Sequence, residues 1–433
     1  MNRRCALALT AVLAVTVGLR VTLAVRTPVP CEDGVSYLWM AQRLAAGEFG
    51  AAFGEVFPPG FPLLLAPWLR LGGEPFATAQ IFGIACAALT VLPLFAIARR
   101  LAPAGALAAV ALWACLPLLA RNAVEIYSEP PFLLAMALGT LAGLHRRWWL
   151  CGLAGAIAFW IRPEGLVLPV AFALATRGQA LLALIPAALG ALAFAWARHA
   201  AGNGFDPLPL LAFHEQRDDL PERGAVLTNL VAAPVGWVEA LLGAGVLAPW
   251  ALRRWRERDV QALGWQCLLQ VAAICTFVVR QRFFLSAAVA AHALAATAFA
   301  AARPLRRWLL VGALAVAGIV IAHRGVTAPD RVAEREVGRW LAPRVTADDQ
   351  VVTDLARVAW YAGRRPPPPR KFAPEVLAAQ AHGAAVRYVV VAARREGFAA
   401  LAAAIGDAFV AVTLPGEVAP LAAERGIAVF TRR

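Results

Sequence analysis

The stretch CGLAGAIAFWIRPEGLVLPVAFALA, from Cys151 to Ala175, decides how this chain is threaded. It is apolar enough for a membrane span, yet Arg162-Pro163-Glu164 stands in its middle. One continuous helix would carry both charges into the bilayer, at about 2.5–3.5 kcal/mol for the arginine alone, and the proline would break its hydrogen-bond ladder. A single span would also reverse every later loop, leaving the basic run Arg253-Arg254-Trp255-Arg256-Glu257-Arg258 outside. The spacing therefore predicts two short half-spans that meet at an outer Arg-Pro-Glu turn. With that parity the tail of the chain is extracytoplasmic.

The surrounding sequence supplies the bilayer context. Hydrophobic residues make up 61% of the chain and charged residues only 16%, and the mean hydropathy is +0.65. These values lie outside the range of ordinary soluble domains. Apolar stretches recur at Cys5–Val25, Phe76–Ala98, Ala104–Ala120, Pro131–Leu144, Leu150–Ile161, Leu166–Ala175, Ala180–Ala197, Val226–Leu252, Ala262–Val279, Phe283–Ala302 and Leu305–Ala322. That is about eleven hydrophobic segments. The first, behind Asn2-Arg3-Arg4 and interrupted by Arg20, reads as an uncleaved anchor rather than a signal peptide. Arg3/Arg4, Arg99/Arg100, Arg146/Arg147, Arg177, the 253–258 run and Arg303/Arg306/Arg307 fall in alternate loops, which are therefore expected to be cytoplasmic.

The net charge of +14 is carried largely by these loop arginines, so orientation explains it better than nucleic-acid binding does. Seven cysteines without CxxC or Cys/His ligand spacing indicate neither a disulfide framework nor a zinc site. Arginine almost to the exclusion of lysine, Lys371 being the exception, together with abundant alanine, suggests a GC-rich bacterial genome. The expected location is a bacterial plasma membrane.

After Ala322 the chain gains charge, and short β-branched runs alternate with helical patterns: Gln350–Thr353, Arg387–Ala392, Phe409–Leu414 and Ile427–Thr431. The chain thus divides into a multi-pass helical membrane domain, 1–322, and a soluble α/β domain, 323–433. Arg364 to Pro369 is a stiff proline loop, and no glycine-rich phosphate loop accompanies it.

Polar residues gather at the outer ends of the spans. The first outer loop holds Glu32, Asp33 and Tyr37, then an amphipathic stretch to Phe53 and the Phe57–Pro62 turn. Asp33, among aromatic neighbours, would serve as a general base or bind a cation; the plain alternative is a solvated loop acid or helix cap. Glu129 closes the second outer loop at the mouth of the next helix, where the macrodipole alone would favour it. Arg162 with Glu164 suits bidentate contact with phosphate, or merely a local ion pair. The loop Asn203–Arg223, with Asp206, His214, Glu215 and Arg217, follows His199 and reads mostly as solvated surface. Arg280 and Arg282 breach the charge rule by interrupting apolar sequence on the side opposite the positive loops. Carboxylates and guanidiniums at one face, with nearly uncharged spans between them, suit chemistry on an anionic lipid.

Glu32-Asp33-Gly34-x-x-Tyr37, Pro58-Pro59-Gly60-Phe61-Pro62, Tyr127-Ser128-Glu129-Pro130, Ile161-Arg162-Pro163-Glu164-Gly165 and the tail elements Gly338-x-Trp340-Leu341, Val351-Val352-Thr353-Asp354, Tyr361-Ala362-Gly363 and Arg387–Val391 together resemble bacterial GT-C fold glycosyltransferases of the protein O-mannosyltransferase and lipid A aminoarabinose transferase superfamily. The resemblance implies transfer of a sugar from a polyprenyl-phosphate donor to an acceptor hydroxyl on lipid, glycan or protein, without a nucleotide sugar. It places Asp33 as the base and Glu129 as a second-loop acid. Arg282, with Arg280 or Arg162, would stabilise charge on the departing lipid phosphate; Glu32, Tyr37, Glu164 and His214 complete the substrate-binding set. A phosphate-binding lysine would have been replaced, because the membrane region has none. Magnesium or calcium at Glu32, Asp33 or Glu129 would suit hard oxygen ligands, although nothing in the sequence requires one. Two rivals are a lipid or solute transporter, which should show internal repeats and mid-span polar residues, and a non-catalytic envelope assembly factor, which should tolerate loss of Asp33.

Overall fold

The computed structural model describes residues 3–205, 226–276, 280–324, 329–368 and 372–433. These form two compact units, Met1–Arg26 with Ala41–Val326 and Thr27–Met40 with Thr327–Arg433.

The first unit is helical. It contains α1 (Arg3–Val25), the end of α2 (Glu32–Ala45), α3 (Phe49–Phe53), α4 (Gly60–Leu69), α5 (Pro75–Leu101), α6 (Ala106–Ala114), α7 (Pro117–Val124), α8 (Glu129–Leu144), α9 (Trp148–Ile161), α10 (Val167–Ala175), α11 (Leu184–Ala200), α12 (Val226–Leu241), α13 (Gly243–Leu247), α14 (Arg258–Cys275), α15 (Ala288–Ala301) and α16 (Pro304–His323). Among the described residues five helices are long and apolar enough to cross a membrane, six if the bent pair α6–α7 counts as one. The chain is a multi-pass membrane protein. The apolar stretches seen in the sequence supply these helices together with shorter apolar ones at α8, α9 and α10, whereas the short apolar helix α4 lies outside those stretches.

Prolines and glycines decide where stretches read as single spans break. Ala104–Ala120 bends by 49° between α6 and α7, with Pro117 opening the second helix. The buried Arg20 of α1 caps the bend, donating to the carbonyls of Ala114 (3.0 Å) and Thr16 (2.9 Å). Val226–Leu252 breaks at Leu242, whose φ is +49°, just before Gly243. The Phe57–Pro62 stretch, read as a turn, is helical in its second half, since Gly60 begins α4; a Cβ on Gly60 would lie 2.4 Å from the Trp160 carbonyl carbon, so the close approach to α9 requires glycine.

The second unit comprises the start of α2 with α17 (Pro329–Leu341), β1 (Gln350–Thr353), α18 (Ala356–Tyr361), α19 (Pro374–Ala381), β2 (Val386–Ala392), α20 (Phe398–Ile405), β3 (Phe409–Ala411), α21 (Val418–Arg425) and β4 (Ile427–Arg432). The sheet order is β1-β2-β4-β3, with β1 parallel to β2 and the other pairs antiparallel. Alternation along β2 builds two cores, because successive side chains of a strand face opposite ways. Val389 and Val391 pack with Leu377, Leu401 and Ile405. Tyr388 and Val390 pack with Val337, Leu341 and Val358.

At the carboxyl ends of the parallel pair, Arg395 donates to Asp354 Oδ2 at 2.6 Å. Burial pushes the Asp354 carboxyl above the usual range, and the Arg395 charge opposes that shift. Asp349 moves the other way. The Thr346 backbone N–H, then its hydroxyl, and Arg387 hold its carboxyl below the usual value.

Candidate active site

The Arg162 turn forms as its sequence dictates. Arg162 is extended (φ −153°, ψ 137°), Pro163 opens a 3₁₀ turn through Leu166, and α10 then returns along α9. Gly155 and Pro169, placed symmetrically about Arg162, come into contact. Gly165 lets the turn lie against α9, since a Cβ there would stand 2.2 Å from the Phe159 amide nitrogen. The break expected from the sequence is therefore present. From α14, Gln270 Nε2 donates to the Glu164 carbonyl at 3.2 Å, and one helical turn away Gln266 Oε1 accepts from Thr140 at 3.1 Å.

The Arg162 guanidinium is shared between two carboxylates. Nη1 donates to Glu129 Oε1 and Nη2 to Glu164 Oε1, each at 2.9 Å, and Nη1 lies 3.4 Å from Ser128 Oγ. Glu129 begins α8, where the helix N-terminus favours a carboxylate. It is only 1% exposed, and its Oε2 has no hydrogen-bond partner among the described residues.

Aromatic rings bring in the second arginine. Phe283, in the 3₁₀ segment Gln281–Ala287, lies 5.7 Å from the Arg162 guanidinium carbon and 5.4 Å from that of Arg282. Arg282 also faces Tyr127 at 5.0 Å, and Arg162 faces Phe132 at 5.8 Å. Tyr127 is set by a strained turn: Ile126 has φ +68°, and the Tyr127 N–H donates back to the Asn122 carbonyl at 3.1 Å. A β-branched residue in that region is a conformational outlier of the kind that clusters at functional sites. Two guanidiniums set against apolar aromatic walls can receive a phosphate that has shed its water, and planar cations keep their aromatic contacts while doing so.

Of the residues singled out in the sequence, Glu129, Arg162, Glu164 and Arg282 are brought together. Arg280 stands at the N-cap of the 281–287 segment. Glu32, Asp33 and Tyr37 belong to the second unit, on α2. There Glu32 lies 3.7 Å from Arg357, which also donates to the Pro30 carbonyl (3.0 Å) and to Glu334 (2.9 Å). These bonds tie residues 27–40 to the tail domain. Tyr37 is buried, while Asp33 is half-buried in the first turn of α2. His214 lies outside the described residues. No group of three His, Cys, Asp or Glu side chains among the described residues is placed to hold a metal ion, and Glu32, Glu129 and Glu164 each face a guanidinium instead.

Sequence reasoning passed over the ring contacts of Tyr127, Phe132 and Phe283 and the buried Gln266 and Gln270. The glutamines did leave a signal, two amides four residues apart in an apolar helix.

No family model matches the sequence, and no curated protein matches it. Solved structures do. The crystal structure of ArnT from Cupriavidus metallidurans bound to undecaprenyl phosphate aligns with a TM-score of 0.68 at 14% identity, over 99% of this chain and 98% of that one. The apo structure of the same protein aligns with a TM-score of 0.67 at 14% identity, over 97% of this chain and 98% of that one. The fold is GT-C-like throughout.

Proposed function

We propose that this chain is a membrane glycosyltransferase that moves a sugar from a polyprenyl-phosphate carrier to an acceptor hydroxyl on a lipid, glycan or protein. The observation that carries the reading is the placement of Arg162 and Arg282 about Phe283. It lies in a chain whose fold follows, end to end, that of a structure bound to undecaprenyl phosphate.

The acceptor oxygen attacks the anomeric carbon, the bond from that carbon to the phosphate oxygen breaks, and the carrier phosphate departs with the electron pair. Arg162 and Arg282 stabilise the charge that grows on the phosphate, the kind of fixed electrostatic contribution that dominates many transition states. The acceptor proton goes to a carboxylate, and Asp33 is the residue assigned here as that base. Glu129, engaged with Arg162, orients the guanidinium and leaves Oε2 to accept from a substrate hydroxyl. Arginine bias in the loops supports a bacterial plasma membrane location with the second unit outside.

The test offers membranes carrying the wild type or Asp33→Asn a panel of polyprenyl-phosphate sugars with native envelope acceptors, and follows release of free polyprenyl phosphate. Release by the wild type alone is expected. Release by neither protein, with both folded, overturns the enzyme reading and returns weight to a transporter or assembly factor. Equal release by both removes Asp33 as base.

A further inference from the structure

The hairpin α8–α9 carries Glu129 and Arg162 at one end and a second, unassigned feature at the other. A groove of about 490 Å³ runs between the two helices, walled by Leu138 and Leu141 of α8 and Leu153 and Ile157 of α9, and bordered by His145 and Arg147. Its walls face outward: Leu138 is 50% exposed and Ile157 45%. In a membrane protein such a face meets acyl chains. The turn at its mouth is chemically different. Arg146 takes a left-handed conformation (φ +57°), the Arg146 N–H donates to the Gly143 carbonyl and the Arg147 N–H to that of Ala142, each at 2.9 Å. That closure, usually built on glycine, satisfies the end of α8 and displays His145, Arg146 and Arg147 side by side. All three are exposed, and none makes an ion pair among the described residues. The uncapped N-terminus of α9 adds its own positive potential, and Trp148 and Trp149 directly follow, as expected where a helix meets the headgroup layer.

We propose that this groove binds an anionic phospholipid of the bilayer, with its phosphate on the His145–Arg147 turn and an acyl chain along the Leu138–Ile157 wall. A basic pocket between transmembrane helices that opens into an apolar channel has the charge and polarity profile of such a lipid. The polyprenyl carrier is not the occupant assigned here. Its phosphate belongs at the Glu129 end, and the 16 residues of α8 separate the two ends by about 24 Å. The hairpin is also short. The 14 residues of α9 cover about 21 Å against roughly 30 Å of hydrocarbon. A headgroup must therefore sink toward the turn, and one bonded to arginine is held there while its neighbours exchange. The choice of occupant rests on the proposed function, which places the carrier phosphate at the Glu129 end.

The test is native mass spectrometry of the full chain released from micelles containing phosphatidylglycerol or phosphatidylcholine. The wild type should retain one phosphatidylglycerol about tenfold more than phosphatidylcholine. The double variant Arg146→Gln/Arg147→Gln should lose that preference, and Ala154→Phe, which fills the groove and leaves the arginines in place, should lose retention of both lipids. Equal retention of the two lipids by the wild type overturns the proposal, as does an unchanged preference in the double variant or unchanged retention in Ala154→Phe. Displacement of bound phosphatidylglycerol by undecaprenyl phosphate would instead assign the groove to the carrier and overturn it too.

Discussion

Glu129 and Arg162, 33 residues apart in sequence, are joined Oε1 to Nη1 at 2.9 Å, and Glu129 is almost wholly withdrawn from solvent. Removing the guanidinium would leave a buried carboxylate uncompensated, a change that typically costs about 3–5 kcal/mol. Arg162→Ala should therefore unfold far earlier than wild type in micelles. Glu164→Gln, which keeps an amide oxygen to accept from the same guanidinium and leaves Glu129 paired, should cost less, about 0.5–1.5 kcal/mol. Thermal unfolding of both variants checks the order. Equal destabilisation would mean that Glu129 is not held as a charged partner.

Arg282 faces Tyr127 and Phe283 through a flat guanidinium. Lysine keeps the charge but loses the planar contact and the fork of donors. Arg282→Lys should lower carrier-phosphate release roughly tenfold, equivalent to about 1.4 kcal/mol of transition-state stabilisation. Tyr127→Phe, which preserves the ring, should change release by less than about twofold. Wild-type release from Arg282→Lys would show that charge alone matters at this position.

Gly165 and Gly312 make a matched pair. A Cβ on Gly165 would strike the α9 backbone, whereas one on Gly312 of α16 would meet nothing within 4 Å. Gly165→Ala must push the Arg162 turn off α9, costing about 1–3 kcal/mol by analogy with overpacked cores and abolishing carrier-phosphate release. Gly312→Ala should be neutral or stabilising by up to about 1 kcal/mol, because alanine loses less backbone freedom in a helix. Melting temperatures measured alongside release separate the two.

The second unit should respond to acid through two carboxylates of opposite sign. Asp349 is held below the ordinary aspartate value of 3.8, so its contribution is present above that pH and is lost as pH falls through its lowered value. Asp354 is raised, so the folded state binds its proton more tightly than the unfolded chain does; the benefit of that proton is full below 3.8 and fades as pH rises through the elevated value. Asp349→Asn should destabilise at neutral pH and converge on wild type in strong acid. Hydrogen exchange at β1 and β2 amides, followed from about pH 3 to 7, checks the sign; a gap that widens toward acid would contradict it.

The Arg-Pro-Glu break was legible because a proline and two charges in one apolar run leave little alternative. The bend between α6 and α7 was equally written, in Pro117, but it was masked by an unbroken hydropathy signal across Ala104–Ala120. The four-stranded tail sheet could be located from its β-branched runs, whereas its order could not, since β4 inserts between β2 and β3. Individual site residues stood out by being polar at the ends of spans. Their partners did not. Nothing local links Arg162 to Phe283, and Glu32 finds Arg357 near the other end of the chain. Contacts that distant in sequence are set by helix packing, on which hydropathy is silent.

Because residues 27–40 fold with 327–433, the helix that carries Asp33 acquires its neighbours only after the ribosome has passed them. During synthesis that helix waits while the intervening spans are inserted one after another. Such a late closure slows folding, as the joining of distant segments generally does. It also acts as a completeness check. A product truncated within the tail would present Asp33 on an unfinished unit, so the assigned base reaches its native setting only in a chain translated through β4.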